Sequence, residues 1–235
     1  SGPGIDLMCE FIGLAYYAEV PCVFFDIQRT GPSTGMPTRT QQADLLSVAY
    51  ASHGDTKHIA LFPADPEECF HLTVEAFDLA ERFQTPVFVV SDLDIGMNDW
   101  RIPRMTWDDD YFWDRGKVLG EAELAELESF SRYLDVDGDG IAARTLPGVS
   151  AKGAYFLRGS GHDKHGEYAE NEEGYQEVMD RLVRKLETAK SVLPDPVIER
   201  REGASALLVC LGSSDGACRE AIDLLGSRGL VLDLL

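Results

Sequence analysis

Basic residues are scarce in this chain of 235 residues. Lysine and arginine total 21 against 41 aspartates and glutamates, which gives a formal net charge of −20. A surface this acidic repels the phosphate groups of nucleic acids and of anionic membranes. We therefore expect neither nucleic acid nor a membrane among the partners, and we interpret the charge as a source of solubility.

Long apolar runs, paired cysteines and an export signal are also missing. No run of about 18 apolar residues occurs, so no transmembrane helix is predicted. The five cysteines form no Cys-x-x-Cys pair, which argues against a zinc site or an iron–sulfur cluster within the chain. The opening SGPGIDLMCE lacks the basic and apolar segments of a signal peptide. A reducing cytoplasm is the expected location.

Both ends of the sequence have the character of internal segments. Ser1 leads directly into a Gly-Pro-Gly turn, and the final LVLDLL has the pattern of a buried strand with nothing after it. We expect residues to be missing at both ends.

Segments with helical and strand-like patterns alternate along the first part of the chain. In chain order, the predicted elements are helix 5–17, strand 22–27, helix 41–51, strand 59–63, helix 66–83 and strand 87–91. This alternation predicts an α/β fold with a doubly wound, mostly parallel sheet. Ligands of such folds bind at the carboxyl ends of the strands.

The pattern divides the chain into three regions. Residues 1–105 form the first α/β domain, and 106–195 form a connecting region with few strand signals and a long charged helix over 168–193. Residues 196–235 begin a second α/β domain that is truncated. Its predicted elements are strand 206–211, helix 217–225 and strand 230–235.

A loop rich in glycine, serine and threonine, QRTGPSTGMPTRT, occupies residues 28–40 and follows the carboxyl end of a predicted buried strand. Arg29 in this loop could grip a carboxylate through two parallel hydrogen bonds, and the nearby threonine hydroxyls could assist. Alternatively, the loop is a structural turn in which Arg29 forms a salt bridge with the acidic surface. The spacing of the residues favours neither interpretation.

A second candidate is the segment DVDGDG, which places Asp135, Asp137 and Asp139 at alternate positions around a glycine. This is the first half of a calcium-binding loop of the EF-hand type. The twelfth position, where such loops need a glutamate, is Leu146. We therefore favour an acidic turn in contact with solvent, and a weak cation site remains the alternative.

Four segments together resemble the alpha subunit of 2-oxoacid:ferredoxin oxidoreductases, the 2-oxoglutarate type in particular. They are SGPGIDLM, AEVPCVFFDIQRTGPSTGMPTRTQQADLL, TPVFVVSD and YLDVDGDGIAARTLPG. The resemblance covers nearly the whole chain, and its most specific part is the loop at 28–40. It implies the later part of a thiamine-diphosphate-binding-like (pyrimidine-binding) domain, a connecting segment and the start of a transketolase-C-like domain.

The resemblance also implies roles for individual residues. Arg29 would bind the 2-oxoacid carboxylate, and Thr34 and Thr38 would line the same pocket. Ser1, Gly2, Pro3 and Gly4 would form a turn beside the thiamine ring. The activating glutamate of the family lies upstream of Ser1, so no catalytic residue is expected in this fragment, which should be inactive alone.

The implied reaction is oxidative decarboxylation of a 2-oxoacid to an acyl-CoA, with ferredoxin as electron acceptor. Thiamine diphosphate with Mg²⁺ would be shared with a beta subunit, and the iron–sulfur cluster would belong to that partner only. The expected partners are therefore the beta subunit and, through the complex, the 2-oxoacid, coenzyme A and ferredoxin. Two alternatives stay open, namely a non-catalytic α/β scaffold and a module that binds a divalent cation through its three aspartates.

Overall fold

A computed structural model describes residues 1–235. Seven helices and five strands follow one another in the order α1 (Gly2–Tyr17), β1 (Cys22–Gln28), α2 (Leu45–Ala49), β2 (Ile59–Leu61), α3 (Pro66–Phe83), β3 (Pro86–Asp92), α4 (Leu93–Met97), α5 (Glu121–Glu126), α6 (Glu172–Ala189), β4 (Ala206–Leu208), α7 (Asp215–Gly226) and β5 (Leu232–Leu234). Two short 3-10 turns lie at Ala151–Gly153 and Gly212–Ser214. None of the helices is long and apolar enough to cross a membrane.

The first three strands form one parallel sheet in the order β1-β3-β2. Strand β3 is central and is buried along its whole length. Its first residue lies opposite Cys22 of β1, and its last residue, Asp92, lies opposite Gln28. The predicted parallel sheet is confirmed, and the carboxyl ends of β1 and β3 lie side by side.

Helices cover both faces of this sheet, as a doubly wound fold requires. On one face Val87 and Val89 of β3 belong to a core cluster that includes residues of α3, such as Phe83. On the other face Phe88 and Val90 belong to a cluster with residues of α1 and α2. Because successive strand residues point to opposite faces, one continuous apolar strand supplies both cores.

Helix α3 shows how the local sequence sets its ends. The carboxylate of Asp65 accepts a hydrogen bond from the Glu68 N–H at 2.8 Å, and Pro66 occupies the first helical turn, where no N–H is needed. The helix ends at Gln84, whose φ of 49° is left-handed. Both predicted ends of this helix are confirmed.

Helix α1 corrects one prediction at the start of the chain. Gly2, Pro3 and Gly4 are not a free turn but the first turn of the helix, and the Ile5 N–H donates to the Ser1 carbonyl at 3.0 Å. Pro3 favours this arrangement because its fixed φ suits a first helical turn. The helix therefore begins at Gly2, three residues before the predicted start.

Other predicted elements are shorter in the structure. Helix α2 begins only at Leu45, because the chain before it is held against the ends of β1 and β3. The other shortened elements are β2 at 59–61, α6 at 172–189, β4 at 206–208 and β5 at 232–234. Strands β4 and β5 pair in parallel across α7, which confirms the predicted β-α-β unit, whereas the borders of the three predicted regions stay a prediction.

A buried ionic cluster joins the amino end of the first sheet to the connecting region. Glu19, which is 1% exposed, forms salt bridges with Arg181 and with Lys185. Its backbone carbonyl accepts a hydrogen bond from Arg132 at 2.8 Å. Burial raises the pKa of Glu19, but the charges of Lys185 and Arg181 outweigh burial and hold the pKa well below its usual range. Burial lowers the pKa of Lys185 to about 8 despite this carboxylate.

Candidate carboxylate-binding site

Three segments meet at the carboxyl edge of the first sheet: the start of α1, the loop after β1, and the approach to α2. The Ser1 nitrogen lies 2.9 Å from Oδ1 of Asp26, which is fully buried in β1. A Cβ added at Gly2 would lie 2.9 Å from Oδ1 of Asp44. The structure therefore brings the predicted cofactor segment, Ser1 to Gly4, to the same edge as the loop that carries Arg29.

The two aspartates at this edge influence each other. Burial raises the pKa of Asp44 above its usual value, and the negative charge of the nearby Asp26 raises it further. A raised pKa keeps a proton on Asp44 at higher pH than usual, which limits repulsion between the two neighbouring acids.

The loop after β1 folds back on itself. The Thr30 N–H donates to the Arg39 carbonyl at 2.9 Å, and the Thr30 carbonyl accepts from the Met36 N–H at 3.0 Å. Gly35 has a φ of 56°, and a Cβ at this position would lie 1.8 Å from the Thr30 carbonyl oxygen. Only glycine allows this close approach, so the glycine of the motif is explained by the shape of the loop.

Arg29 emerges from the end of β1 without a charged partner. It is half-buried, and its Nε atom is buried and makes no hydrogen bond. None of the 41 acidic residues of the chain forms a salt bridge with it. The alternative interpretation, in which Arg29 is tied to the acidic surface, is therefore wrong, and the guanidinium is available to an anion.

Thr34 and Thr38 lie in the same loop, whose residues 31–40 are all exposed. The Thr38 hydroxyl accepts a hydrogen bond from the guanidinium of Arg39 at 3.3 Å. Thr34 makes no side-chain hydrogen bond within the chain. Their role in the pocket stays a prediction.

Several residues that sequence reasoning missed hold this edge together. Oδ2 of Asp92 accepts hydrogen bonds from the Ser213 hydroxyl at 2.6 Å and the Gln42 amide at 3.1 Å. The same Gln42 amide donates to the Leu211 carbonyl at 2.7 Å. The turn before α7 is thereby docked on the end of β3. The position of Asp92 directly after the predicted strand 87–91 was a signal that could have found it, whereas Gln42 and Ser213 carried none.

The three aspartates of the DVDGDG segment do converge. One ligand oxygen from each of Asp135, Asp137 and Asp139 lies within 4.8 Å of the others. The ammonium of Lys117, however, lies 2.7 Å from Oδ1 of both Asp137 and Asp139. The guanidinium of Arg184 lies 3.0 Å from Oδ2 of Asp135. The chain therefore already supplies two positive charges to this turn, and a cation site there stays a prediction.

One cavity of the molecule lies away from Arg29. Its volume is about 390 Å³, and its lining includes Tyr17, His53 and Tyr175. These residues belong to the end of α1, the segment before β2 and helix α6, so the cavity lies at the amino end of the sheet. The candidate site at the carboxyl edge rests instead on the position of the loop and on its unpartnered guanidinium.

Comparison with known proteins links this chain to a family. A family model described as pyruvate flavodoxin/ferredoxin oxidoreductase, thiamine diphosphate-binding, matches residues 1–128. The chain is 33% identical to 2-oxoglutarate synthase subunit KorA of Methanocaldococcus jannaschii, over 98% of the chain and 59% of that protein. It is 35% identical to the alpha subunit of 2-oxoacid:ferredoxin oxidoreductase 2 of Aeropyrum pernix, over 98% of the chain and 35% of that subunit.

A solved structure gives the same relationship. The 2-oxoglutarate:ferredoxin oxidoreductase of Magnetococcus marinus, with 2-oxoglutarate, coenzyme A and succinyl-CoA bound, superposes with a TM-score of 0.90 at 30% sequence identity. The match covers all of this chain and 40% of that chain, so our sequence spans only part of the length of its relatives. The resemblance noted in the sequence is thus confirmed: this chain belongs to the thiamine diphosphate-binding family of pyruvate flavodoxin/ferredoxin oxidoreductases.

Proposed function

We propose that this chain is part of the alpha subunit of a cytoplasmic 2-oxoacid:ferredoxin oxidoreductase. The enzyme would convert a 2-oxoacid, and 2-oxoglutarate in the first place, to the acyl-CoA and carbon dioxide while reducing ferredoxin. The names of the relatives support the reaction class, and the 2-oxoglutarate bound to the Magnetococcus marinus protein supports the substrate.

One observation carries the proposal: Arg29 presents an unpaired guanidinium at the carboxyl edge of a parallel sheet, in a chain with a net charge of −20. Among so many carboxylates, an arginine without a carboxylate partner suits an anion from outside the chain. Its planar guanidinium would donate two hydrogen bonds to the substrate carboxylate. The contribution of Arg29 is orientation of the substrate, because holding the reacting group in place lowers the entropic part of the barrier.

Thiamine diphosphate is the cofactor that the family implies. The segment Ser1–Gly4 would lie beside its ring, and this fits the structure because a Cβ added at Gly4 would meet no atom within 4 Å. When bound, the cofactor supplies a carbon nucleophile that stabilises negative charge after decarboxylation. Mg²⁺, the iron–sulfur cluster and the contacts to ferredoxin would come from the beta subunit. The activating glutamate would lie upstream of Ser1.

Kinetics of the complete enzyme test the role of Arg29. With the full-length alpha subunit purified together with its beta partner, Arg29→Ala should lower kcat/KM for the 2-oxoacid by an amount equivalent to about 2–5 kcal/mol, mainly through KM. The exchange Arg39→Ala is the matched control, because Arg39 lies in the same exposed loop and donates only to the Thr38 backbone and hydroxyl.

Unchanged kinetics in Arg29→Ala would exclude the carboxylate role and favour a scaffold. All three classes of candidate substrate, pyruvate, 2-oxoglutarate and branched 2-oxoacids, offer the same carboxylate, so Arg29 alone does not distinguish them. Parallel assays of the wild-type enzyme with each of them identify the substrate. A preference for 2-oxoglutarate should appear as a higher kcat/KM in the wild-type enzyme.

A further inference from the structure

The residue immediately before Arg29 is a buried glutamine that fastens both ends of the loop. Gln28 is 2% exposed and is the last residue of β1. Its Oε1 accepts a hydrogen bond from the Asp44 N–H at 3.0 Å, and its Nε2 donates to the Ser91 carbonyl of β3 at 3.4 Å. One side chain thereby joins the beginning of the loop, its end at the start of α2, and the neighbouring strand.

The chemistry of this position requires a carboxamide. Gln28 accepts one hydrogen bond and donates another. A carboxamide has both an acceptor oxygen and a donor NH₂ group and carries no charge. The Asp44 N–H donates to the Gln28 side chain, and Asp92 is the residue that lies opposite Gln28 in β3. A carboxylate at position 28 would therefore be buried near two other acidic residues. Burial of an unpaired charge at such a position is costly.

The Arg29 side chain has no anchor of its own. Its Nε atom makes no hydrogen bond, and residues 31–40 beyond it are exposed. The direction of the side chain therefore depends on the backbone, which is held after Arg29 by the Thr30 N–H bond to the Arg39 carbonyl at 2.9 Å and before Arg29 by Gln28, the only one of the two whose side chain is buried and connects the loop to α2 and β3. A shift of about 1 Å in a substrate-binding group can reduce the rate by a factor of roughly a hundred.

We propose that Gln28 is a positioning residue that holds Arg29 in the direction needed to bind the substrate carboxylate. This inference rests on the proposed function of Arg29. It goes beyond that function because it assigns the precision of the site to a buried side chain other than the arginine that binds the carboxylate.

The test is the exchange Gln28→Met in the complete enzyme, because methionine has a similar shape and forms neither hydrogen bond. We expect kcat/KM for the 2-oxoacid to fall by roughly 10- to 100-fold. In an enzyme that already carries Arg29→Ala, the same exchange should change kcat/KM by less than about twofold, since coupled residues are not additive. Gln28→Asn keeps an uncharged carboxamide but is one methylene shorter, so it cannot keep both hydrogen bonds at their present distances, and it serves as the second variant if Gln28→Met fails to fold.

The matched control is Gln84→Met, since Gln84 is also buried and donates to the Ala142 carbonyl at 2.6 Å. Gln84 lies at the amino end of β3, so its exchange should lower thermal stability without changing KM. Equal losses of kcat/KM in the two variants, or a full loss in the Arg29→Ala background, would overturn the role of Gln28. Unchanged kinetics in Arg29→Ala alone would instead overturn the proposed function.

Discussion

At the amino end of the first sheet, Arg181 and Lys185 are buried and both contact Glu19, whereas Arg29 at the carboxyl end contacts no carboxylate. In the first arrangement, the buried positive charges are compensated by a carboxylate of the same chain. The second leaves a cation without a partner in a molecule that has 41 acidic residues available. Position alone does not explain the difference, because loops and helices meet the sheet at both ends.

The comparison separates charges that stabilise the fold from a charge that is available for binding. Glu19 connects α1 to α6 and to the connecting region, so the amino end behaves as a structural junction. The carboxyl end has no buried pair of a basic and an acidic side chain and is held by hydrogen bonds, among them those of the Gln28 carboxamide and the Asp92 carboxylate. Four predictions test this separation, from the largest expected effect to the smallest.

The largest effect is expected from Glu19→Gln, because two buried cations, Arg181 and Lys185, would then lose the carboxylate that they share. Breaking a buried ion pair from one side typically costs about 3–5 kcal/mol. Chemical unfolding of the protein at pH 7 measures this loss, and Glu10→Gln on the exposed side of α1 is the control. A loss no larger than that of the control would show that the cluster contributes little to the fold.

The same residue predicts a pH dependence. The pKa of Glu19 is lowered in the folded protein because the attraction of Lys185 and Arg181 exceeds the effect of burial. Its stabilising contribution is therefore present above the usual glutamate value of 4.5 and is lost as the pH falls below it. Between pH 5 and pH 3 the wild-type protein should lose more stability than Glu19→Gln, and parallel curves would contradict this assignment.

These two regions differ in how far the sequence predicted them. The parallel sheet followed from the alternation of apolar runs and helical spacing, and the loop with Arg29 followed from a contiguous motif. The ionic cluster left no such signal, because Glu19 and Lys185 are separated by 166 positions along the chain. Gln28 stood inside the motif, but its role depends on Ser91 and Asp44, whose proximity only the fold creates.

The prediction of a turn over the first four residues was wrong because the same residues can also begin a helix. Glycine and proline in SGPG favour a turn in most contexts, yet they also suit the first turn of a helix, where proline loses no hydrogen bond. The packed face of α1, with Ile5 and Ile12 buried, decides between the two. Burial of this face of α1 in the folded chain therefore selects the helix, and the residues SGPG alone do not report that burial.

A smaller effect is expected from Gly35→Ala in the Arg29 loop. The new Cβ would lie 1.8 Å from the Thr30 carbonyl oxygen, so the loop must open and Arg29 must move with it. We expect kcat/KM for the 2-oxoacid to fall by roughly 10-fold or more in the complete enzyme. The control is Gly31→Ala, because a Cβ at Gly31 meets no atom within 4 Å. Similar kinetics in both variants would show that substrate binding does not depend on the shape of this loop.

The smallest effect on stability is expected from Arg29→Met. The same exchange at Arg181, at the other end of the sheet, gives the comparison. Because Arg29 has no charged partner to lose, its exchange should change the free energy of unfolding by less than about 0.5 kcal/mol. The same exchange at Arg181 removes a buried partner of Glu19 and should cost at least about 3 kcal/mol. Urea unfolding of both variants beside the wild type makes the measurement. A loss above about 1 kcal/mol in Arg29→Met would mean that this guanidinium also stabilises the fold, and the contrast between a structural end and a binding end of the sheet would then fail.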